Sequence, residues 1–363
     1  MIQCYGKWDD YNSFAGVARA IINELVKKRY DVTIFGVDSK FPKYVDVRAD
    51  VGLRMSAPIG VYIGYPEPSI GYLHGHSVKV LVTVCETDKI PSSWVEACNL
   101  TDLVVVPSQW CYEAFKKSGV TKPLLIVRHG IYSEVAREIR SFNKSEDYLF
   151  HVSGSLSFAA RKGTSKLLRA YARLDAEVEP MPKLYLKMPN TTGVQEAINY
   201  LKIKNKVVLL PDRSLNPFEM YGFYRNAIAT IQPSRAEGFG ICPLESRCVG
   251  TPVVITNATG HQEHFVEGID LTIETGRLAP LDTQANPCGS APLLTEEAVY
   301  NALGGSLGFA SERAENTTEW ASAHAEEWDW SVQLIPLMRA FKDLRPHKSG
   351  VILGASSSLR GIE

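Results

Sequence analysis

Short continuous runs of Val, Ile and Leu, each followed by an amphipathic stretch, constrain this chain more than any other feature. They occur at Ile2–Tyr5, Asp31–Gly36, Ile59–Gly64, Lys79–Cys85, Asp102–Pro107 and Pro123–Arg128. They resume at Tyr148–Ser153, Lys183–Met188, Val207–Leu210, Ala227–Pro233 and Pro252–Thr256. A strand apolar on both sides of its pleat must be covered on both faces, the environment of a parallel sheet with helices above and below it. Helical patterns fill the gaps. Val17, Ile21 and Leu25 recur every fourth residue and form one apolar stripe. Ser108 caps a helix over Gln109–Lys117, and Gly119 stops it. Further helical patterns lie at Gly163–Leu174, Thr192–Leu201, Pro217–Arg225 and Cys242–Val249. The same plan runs twice, which predicts an α/β chain of two doubly wound units.

A chain of 363 residues has room for two such domains. The polar stretch Ser141–Asp147 is the natural linker, giving an N-terminal domain 1–142 and a second domain 143–328. Residues 279–294 read as a loop rich in Pro, Gly and small residues. Helices are expected near Thr295–Leu303 and Arg313–Trp328, then at Ser331–Leu344 with a kink at Pro336. Residues 346–363 read as a loosely ordered tail.

Charge narrows the partners. Basic and acidic residues nearly cancel, 39 against 40, so a protein binding nucleic acid through its overall positive field is disfavoured. Residues 1–142 hold 17 basic and 15 acidic side chains, and residues 143–345 hold 20 and 24. No apolar run approaches the ~20 residues of a spanning helix, and no basic segment precedes an apolar one at the start. The seven cysteines are scattered, with no Cys-x-x-Cys pair. Together these lead to the expectation of a cytoplasmic protein with reduced thiols.

The strongest chemical signal is Arg235-Ala-Glu-Gly-Phe-Gly-Ile-Cys-Pro-Leu-Glu245, between a strand and a helix. Ligands of open parallel sheets bind beyond the carboxyl ends of strands, and a helix N-terminus there attracts anions. Glu237 and Glu245 would flank such a ligand and accept hydrogen bonds from sugar hydroxyls. A plain strand–loop–helix joint bearing two surface acids satisfies the same spacing. Three further stretches stand at comparable junctions. Ser153-Gly-Ser-Leu-Ser-Phe-Ala-Ala-Arg161-Lys162-Gly163 carries two cations between a strand and a helix. Asn12-Ser-Phe-Ala-Gly16 precedes the first helix, after a loop Gly6–Phe14 read as mobile. Val82-Thr-Val-Cys-Glu86-Thr-Asp88 follows a buried strand. His74, His76 and His129 are candidates to line the same cleft. A His-x-His pair can suggest a metal, but no third ligand is evident.

The segment 235–246 resembles the Glu-x7-Glu motif of glycosyltransferase family four, retaining enzymes of the two-domain GT-B fold. Val207–Pro233 with Met220–Tyr224, Gly250–Thr256, Thr259–Glu263, Asp102–Ser108 and Arg128–Ile131 resemble other stretches of that family, so that the likeness covers most of residues 12–275. It implies two facing Rossmann-like domains, an acceptor-side first domain, a donor-side second domain, and a C-terminal helix over 329–345 that crosses back to the first. It also implies a nucleotide-diphosphate sugar as donor, with no metal and no cofactor. By position, Glu237 would contact the donor sugar, Glu245 the ribose, and the amides of Gly238, Phe239, Gly240 and Ile241 the sugar and diphosphate. Lys162 matches the family lysine. Ser155 stands where the family has arginine, and Arg161 is the candidate to replace it. Gly16 matches the family's first glycine loop. Many relatives place a histidine near Glu86. This chain resembles a subset with an acidic segment there, which makes Glu86 the candidate to orient the acceptor or stabilise charge. The acceptor would be a hydroxyl of a glycan, lipid, small molecule or modified base in DNA. A nucleotide-sugar epimerase and a non-catalytic nucleotide-sugar binding protein are the alternative readings.

Overall fold

The computed structural model describes residues 1–7, 13–37, 57–144, 147–153, 159–188, 192–210, 213, 215–281, 288–308 and 310–344. Among them, β1 (Ile2–Gly6), β2 (Val32–Gly36), β3 (Ile59–Ile63), β4 (Val78–Val82), β5 (Leu103–Val106) and β6 (Leu124–Ile126) form one sheet in the order β2-β1-β3-β4-β5-β6. A second sheet contains β7 (Tyr148–Val152), β8 (Lys183–Lys187), β9 (Val207–Leu209), β10 (Ala227–Gln232), β11 (Val253–Thr256) and β12 (Leu271–Ile273), in the order β12-β11-β10-β7-β8-β9. Every pairing within these two sheets is parallel.

The buried strands need two covers each, and they have them. The stripe of helix Ser13–Lys27 lays Val17, Ile21 and Leu25 on one face of the first sheet, against Ile2, Val61 and Val80. Burying each such side chain contributes on the order of 1.5–3 kcal/mol. Trp94, Ala114 and Phe115 cover the other face. In the second sheet, Leu167, Tyr171 and Leu303 line one face and Tyr221, Tyr224 and Leu244 the other. Local signals set the helix ends. Ser108 accepts from the Cys111 N–H, and Gly119 closes that helix in the left-handed region. Asn216 and Glu219 form a reciprocal capping box before Pro217.

The chain crosses between the sheets twice, side by side. Ile131 and Asp329 form a parallel bridge, and Gly130 touches the Trp330 backbone so closely that an added Cβ would lie 2.7 Å from it. Asp329 accepts from the backbone and hydroxyl of both Ser133 and Ser331. The final helices, Trp330–Gln333 and Ile335–Asp343, place Trp330, Leu334, Leu337 and Phe341 in the core of the first sheet. Pro336 does not kink one continuous helix. It opens the second of two short ones, where its missing N–H costs nothing.

Two expectations need correction. Helix Ser133–Arg140 precedes residue 142, yet Ala136 and Ile139 share a core with Tyr148 and Tyr221. Packing therefore passes to the second sheet near Ile131, because this helix's apolar face fits against helix Pro217–Asn226. The stretch 279–294 is not all loop, since β13 (Leu278–Pro280) pairs antiparallel with β14 (Ser290–Pro292). The expected tail and the residues between Lys7 and Ser13 lie outside the described residues.

Candidate functional site

In the second sheet the strand order reverses between β7 and β10, which makes their carboxyl ends a topological switch point. The two strongest motifs leave the sheet there. After β7, Arg161 and Lys162 end a short helix, and Gly163 turns at φ +70° into the helix Thr164–Asp175. An added Cβ on Gly163 would lie 2.1 Å from the Pro233 carbonyl oxygen, so only glycine lets this turn lie against the loop after β10. The Arg235 N–H donates to the Arg161 carbonyl at 2.7 Å and fixes the two loops together.

This junction brings Glu237, Lys162 and Arg161 into contact. Lys162 Nζ lies 2.6 Å from Glu237 Oε1. Arg161 Nη1 lies 3.3 Å from Glu237 Oε2 and donates to the Ala236 carbonyl at 2.8 Å. The Glu237 N–H donates to the Thr259 hydroxyl. Burial by itself would raise the Glu237 pKa, but the charges of Lys162 and Arg161 outweigh it and hold this carboxyl below its ordinary range. Burial works against the Arg161 charge too, and Glu237 and Glu86 overcome it, so the guanidinium is held charged more firmly than usual.

The carboxyl edge of the first sheet meets the same spot. An added Cβ on Gly238 would lie 1.8 Å from Val84 Cγ2. The Cys111 thiol donates to the carbonyls of Cys85 and Gly238. Glu86 Oε1 stands 3.9 Å from Arg161 Nη2, near enough for attraction but too far for a hydrogen bond. Glu86 is 8% exposed, and its Oε2 has no hydrogen-bond partner among the described residues. Leaving such an acceptor unsatisfied costs roughly 1–3 kcal/mol, which folding alone does not require. At the edge of this region Asp88 and Thr87 bind β14 and its approach. Ser290 N–H donates to Asp88 Oδ1, and the Thr87 hydroxyl donates to the Cys288 carbonyl.

The rest of the Glu-x7-Glu segment is built around Phe239. Its ring is buried against His129, His264 and Trp328, with centroids 4.8, 5.1 and 6.4 Å away. Gly240, at φ +82°, lies against His261 so closely that a Cβ would be 2.2 Å from the imidazole. Helix Ile241–Cys248 starts from it. Burial pulls His261 down to about 4 and His129 to about 3, so both rings are neutral near pH 7. His261 Nδ1 faces the Thr256 carbonyl, and its Nε2 has no partner among the described residues. Glu245 is apart from the cations. Its Oε2 accepts from the Tyr224 hydroxyl at 3.2 Å, and burial pushes its pKa up to about 8. Ser153 Oγ, Gln232 Oε1 and Ser234 Oγ, at the ends of β7 and β10, are also buried without partners among the described residues.

Other candidates are not gathered here. Gly16 falls inside the first turns of helix Ser13–Lys27 rather than in a loop before it, and a Cβ there would meet nothing within 4 Å. The helix simply starts earlier than the glycine suggested. Ser155 lies outside the described residues. His74 and His76 precede β4, at the opposite end of the sheet from the junction. His76 is a satisfied core histidine, with Nδ1 on the Ala57 carbonyl and Nε2 on the Tyr5 hydroxyl. Among the described residues no group of three His, Cys, Asp or Glu could hold a metal ion. Nor is any described helix long and apolar enough to cross a membrane. The motifs did not single out His261 or Thr259 as site residues. Their signal was the glycine turn at Thr259–Glu263, whose role only the fold reveals.

Two facing parallel sheets with a returning C-terminal helix are the GT-B architecture. The fold matches that of sucrose-phosphate synthase from Thermosynechococcus elongatus with a TM-score of 0.71 at 14% identity, over 94% of this chain and 98% of that one. It matches WaaG, a glycosyltransferase involved in lipopolysaccharide biosynthesis, with a TM-score of 0.64 at 13% identity over 94% and 98%. Residues 134–281 match the family model of the glycosyl transferases group 1, a span that takes in Arg161, Lys162 and the whole Glu-x7-Glu segment. The D-inositol 3-phosphate glycosyltransferase of Corynebacterium urealyticum is 30% identical over 190 residues, 49% of this chain and 40% of that protein. The chain's match thus spans less than half the length of that curated relative.

Proposed function

We propose that the protein is a retaining glycosyltransferase that moves a hexosyl or pentosyl group from a nucleotide-diphosphate sugar to an acceptor hydroxyl. The observation that carries this reading is the buried Lys162–Glu237–Arg161 cluster at the β7/β10 switch point, facing Glu86 across the seam. In this reading Lys162 and Arg161 take the diphosphate, and Arg161 does the work of the arginine that Ser155 replaces. Bond breaking gathers charge on the leaving diphosphate, so fixed cations there stabilise the transition state more than the bound donor. Glu237, released from Lys162 as the diphosphate arrives, holds the transferred sugar. Glu245 accepts a ribose hydroxyl, and the Gly238–Ile241 backbone lies along the sugar and diphosphate. The acceptor enters from the first domain, where Glu86 orients it.

No covalent nucleophile is part of this scheme. The acceptor hydroxyl attacks on the face the diphosphate leaves, its proton passes to the departing phosphate oxygen, and the chain supplies position and charge. The scheme uses the chain's own cations in place of a metal and takes no cofactor. We place the enzyme in the cytoplasm, where sugar nucleotides are made. Purified Glu237→Ala and Lys162→Ala should each lose transfer sharply while keeping the fold. Near-normal transfer in both would refute the assignment.

A further inference from the structure

We infer that the turn Thr259–Glu263 ties the placement of Glu237 to the first domain, with Glu263 as the positioning residue at its far end. The inference rests on the glycosyltransferase reading above and adds a residue that this reading does not use.

One end of the five-residue turn is fitted to the Glu-x7-Glu loop. The Gly260 N–H donates to the Glu237 carbonyl at 2.8 Å, and the Thr259 hydroxyl accepts from the Glu237 N–H at 3.1 Å. An added Cβ on Gly260 would lie 2.4 Å from the Gly238 carbonyl carbon, so the turn lies flat against the loop. Thr259 sits at φ +54°, a left-handed conformation that strains a β-branched residue. Glycine would relieve that strain, but it has no hydroxyl to offer Glu237.

The other end reaches out of the second domain. Glu263 accepts from the Gln109 N–H, at the first residue of helix Gln109–Ser118, and from Arg128 Nε at 2.8 Å. Both donors belong to the first domain. Unpaired N–H groups and the helix dipole favour a carboxylate at that helix start. The Glu263 side chain is 8% exposed, so this contact lies inside the seam. The same helix also meets the loop directly, since the Cys111 thiol donates to the Gly238 carbonyl at 3.4 Å. Helix Gln109–Ser118 thus holds the Glu237 segment in two ways, through Cys111 and through the turn. A movement that parts Glu263 from this helix shifts the turn and, with it, the Glu237 backbone. Glu237 is then fully placed only when the two domains meet, and a donor held by the second domain alone is not turned over.

The test compares the wild type with Glu263→Ala, Glu263→Gln, Arg128→Ala and the double variant Glu263→Ala with Arg128→Ala. The probes are uridine diphosphate glucose, adenosine diphosphate glucose and guanosine diphosphate mannose. Binding is read by titration calorimetry, and turnover by release of the nucleoside diphosphate with water as acceptor. Glu263→Ala should lower kcat tenfold or more, with KM and Kd for the probe changed less than threefold. Glu263→Gln keeps an acceptor for the Gln109 N–H and should recover part of the loss. Arg128→Ala leaves the second domain untouched and should lower kcat threefold or more. The double variant should match Glu263→Ala within twofold, because both changes cut one link. Thr259→Gly should raise the melting temperature and still lower kcat. An unchanged kcat in Glu263→Ala, an equal loss of probe binding, or effects that multiply in the double variant would overturn the inference. Where the wild type binds a probe without hydrolysing it, small-angle scattering of the probe-bound proteins decides. A larger radius of gyration in Glu263→Ala supports the link, and an equal one overturns it. A wild type that binds none of the probes would sink the glycosyltransferase reading and the inference with it, whereas a bound probe with unaltered variants would sink only the inference.

Discussion

Two arginine–carboxylate clusters are made from the same chemistry and completed differently, one inside the second domain and one at its seam with the first. Arg247 and Asp270 are both fully buried, joined by two hydrogen bonds of 2.7 Å. The Val266 N–H also donates to Asp270, and the guanidinium lies over the Trp320 ring. Both carboxylate oxygens are satisfied, while Arg247 Nη1 makes no hydrogen bond among the described residues. The Arg161–Lys162–Glu237–Glu86 cluster keeps some exposure to water, stretches one contact to 3.9 Å and leaves Glu86 Oε2 unpartnered. The difference lies in the carboxylates: Asp270 has both oxygens bonded and holds structure, and Glu86 keeps one oxygen for a ligand. The buried pair also serves the cluster at the seam: Arg247 adjoins His264, whose Nε2 faces the Phe239 carbonyl inside the Glu-x7-Glu loop.

The two clusters should differ most at Asp270. Asp270→Ala strands the buried Arg247 charge and should cost ~3–5 kcal/mol in urea unfolding. The joint replacement Arg247→Met with Asp270→Leu should recover most of that loss. If the single variant is nearly neutral, the pair is not what holds this region.

At the other cluster the effect should move from stability to rate. Glu237→Ala should cut transfer by on the order of 10²-fold, equivalent to ~3 kcal/mol of barrier, with a smaller loss of folding stability than Asp270→Ala. A variant that unfolds as readily as Asp270→Ala and retains activity would reverse the roles assigned to the two clusters.

The seam between the domains gives a steric test of intermediate size. Gly238→Ala should destabilise by ~1–3 kcal/mol, because its Cβ would lie 1.8 Å from Val84 Cγ2. Val84→Ala in the same chain should restore much of the loss. An absence of coupling in this double-mutant cycle would show that the two edges do not meet as described.

The smallest expected effect is a pH dependence with two opposed parts. Burial pulls His151 and His261 down to about 4 and His129 to about 3, lowers His264 too, and pushes Glu245 up to about 8. As pH falls through about 6.5 the unfolded chain protonates these histidines before the folded one does, so stability falls as pH falls toward 4. Glu245 acts oppositely. The folded chain keeps a proton that the unfolded chain loses above 4.5, so stability falls as pH rises toward 8. Four histidines outweigh one glutamate below about pH 7, and above it the glutamate dominates until Lys144, lowered by burial to about 8, begins to oppose it. Stability should therefore peak near about pH 7 and decline toward 8 by at most about 1.4 kcal/mol per pH unit. Glu245→Gln should flatten that decline. An unchanged decline in the variant would assign it to another group.

Most of this architecture was legible in the sequence, because a strand buried on both faces announces itself as a continuous apolar run. β1 through β11 all fall within the runs that predict them, to within a residue or so at the ends. β12, β13 and β14, with sequences Leu-Thr-Ile, Leu-Ala-Pro and Ser-Ala-Pro, contain no continuous apolar run, because none is a central strand buried on both faces. Helix Ser133–Arg140 was missed for another reason: four of its eight residues are charged, and Val135, Ala136 and Ile139 form an apolar side too short to stand out, which helix Pro217–Asn226 covers. In the site, Glu237 and Lys162 could be singled out because each follows a recognisable strand and stands where the resembled family has its glutamate and lysine. The meeting of Arg161 with Glu86 could not, since it joins residues 75 apart from two different sheets. Gly16 shows the converse error, a glycine whose position suggested a loop although the chain had already begun a helix.

In the proposed function, Lys162 with Arg161 and Glu237 forms the anion site of a nucleotide-sugar donor. The most direct measurement is the melting temperature of the wild type and of Lys162→Ala with uridine, guanosine, adenosine and cytidine diphosphate sugars, since a ligand bound only to the folded state raises it. At least one of them should raise the melting temperature of the wild type, and the rise should be lost or much reduced in Lys162→Ala. No rise with any of them, or an equal rise in the variant, would contradict that assignment.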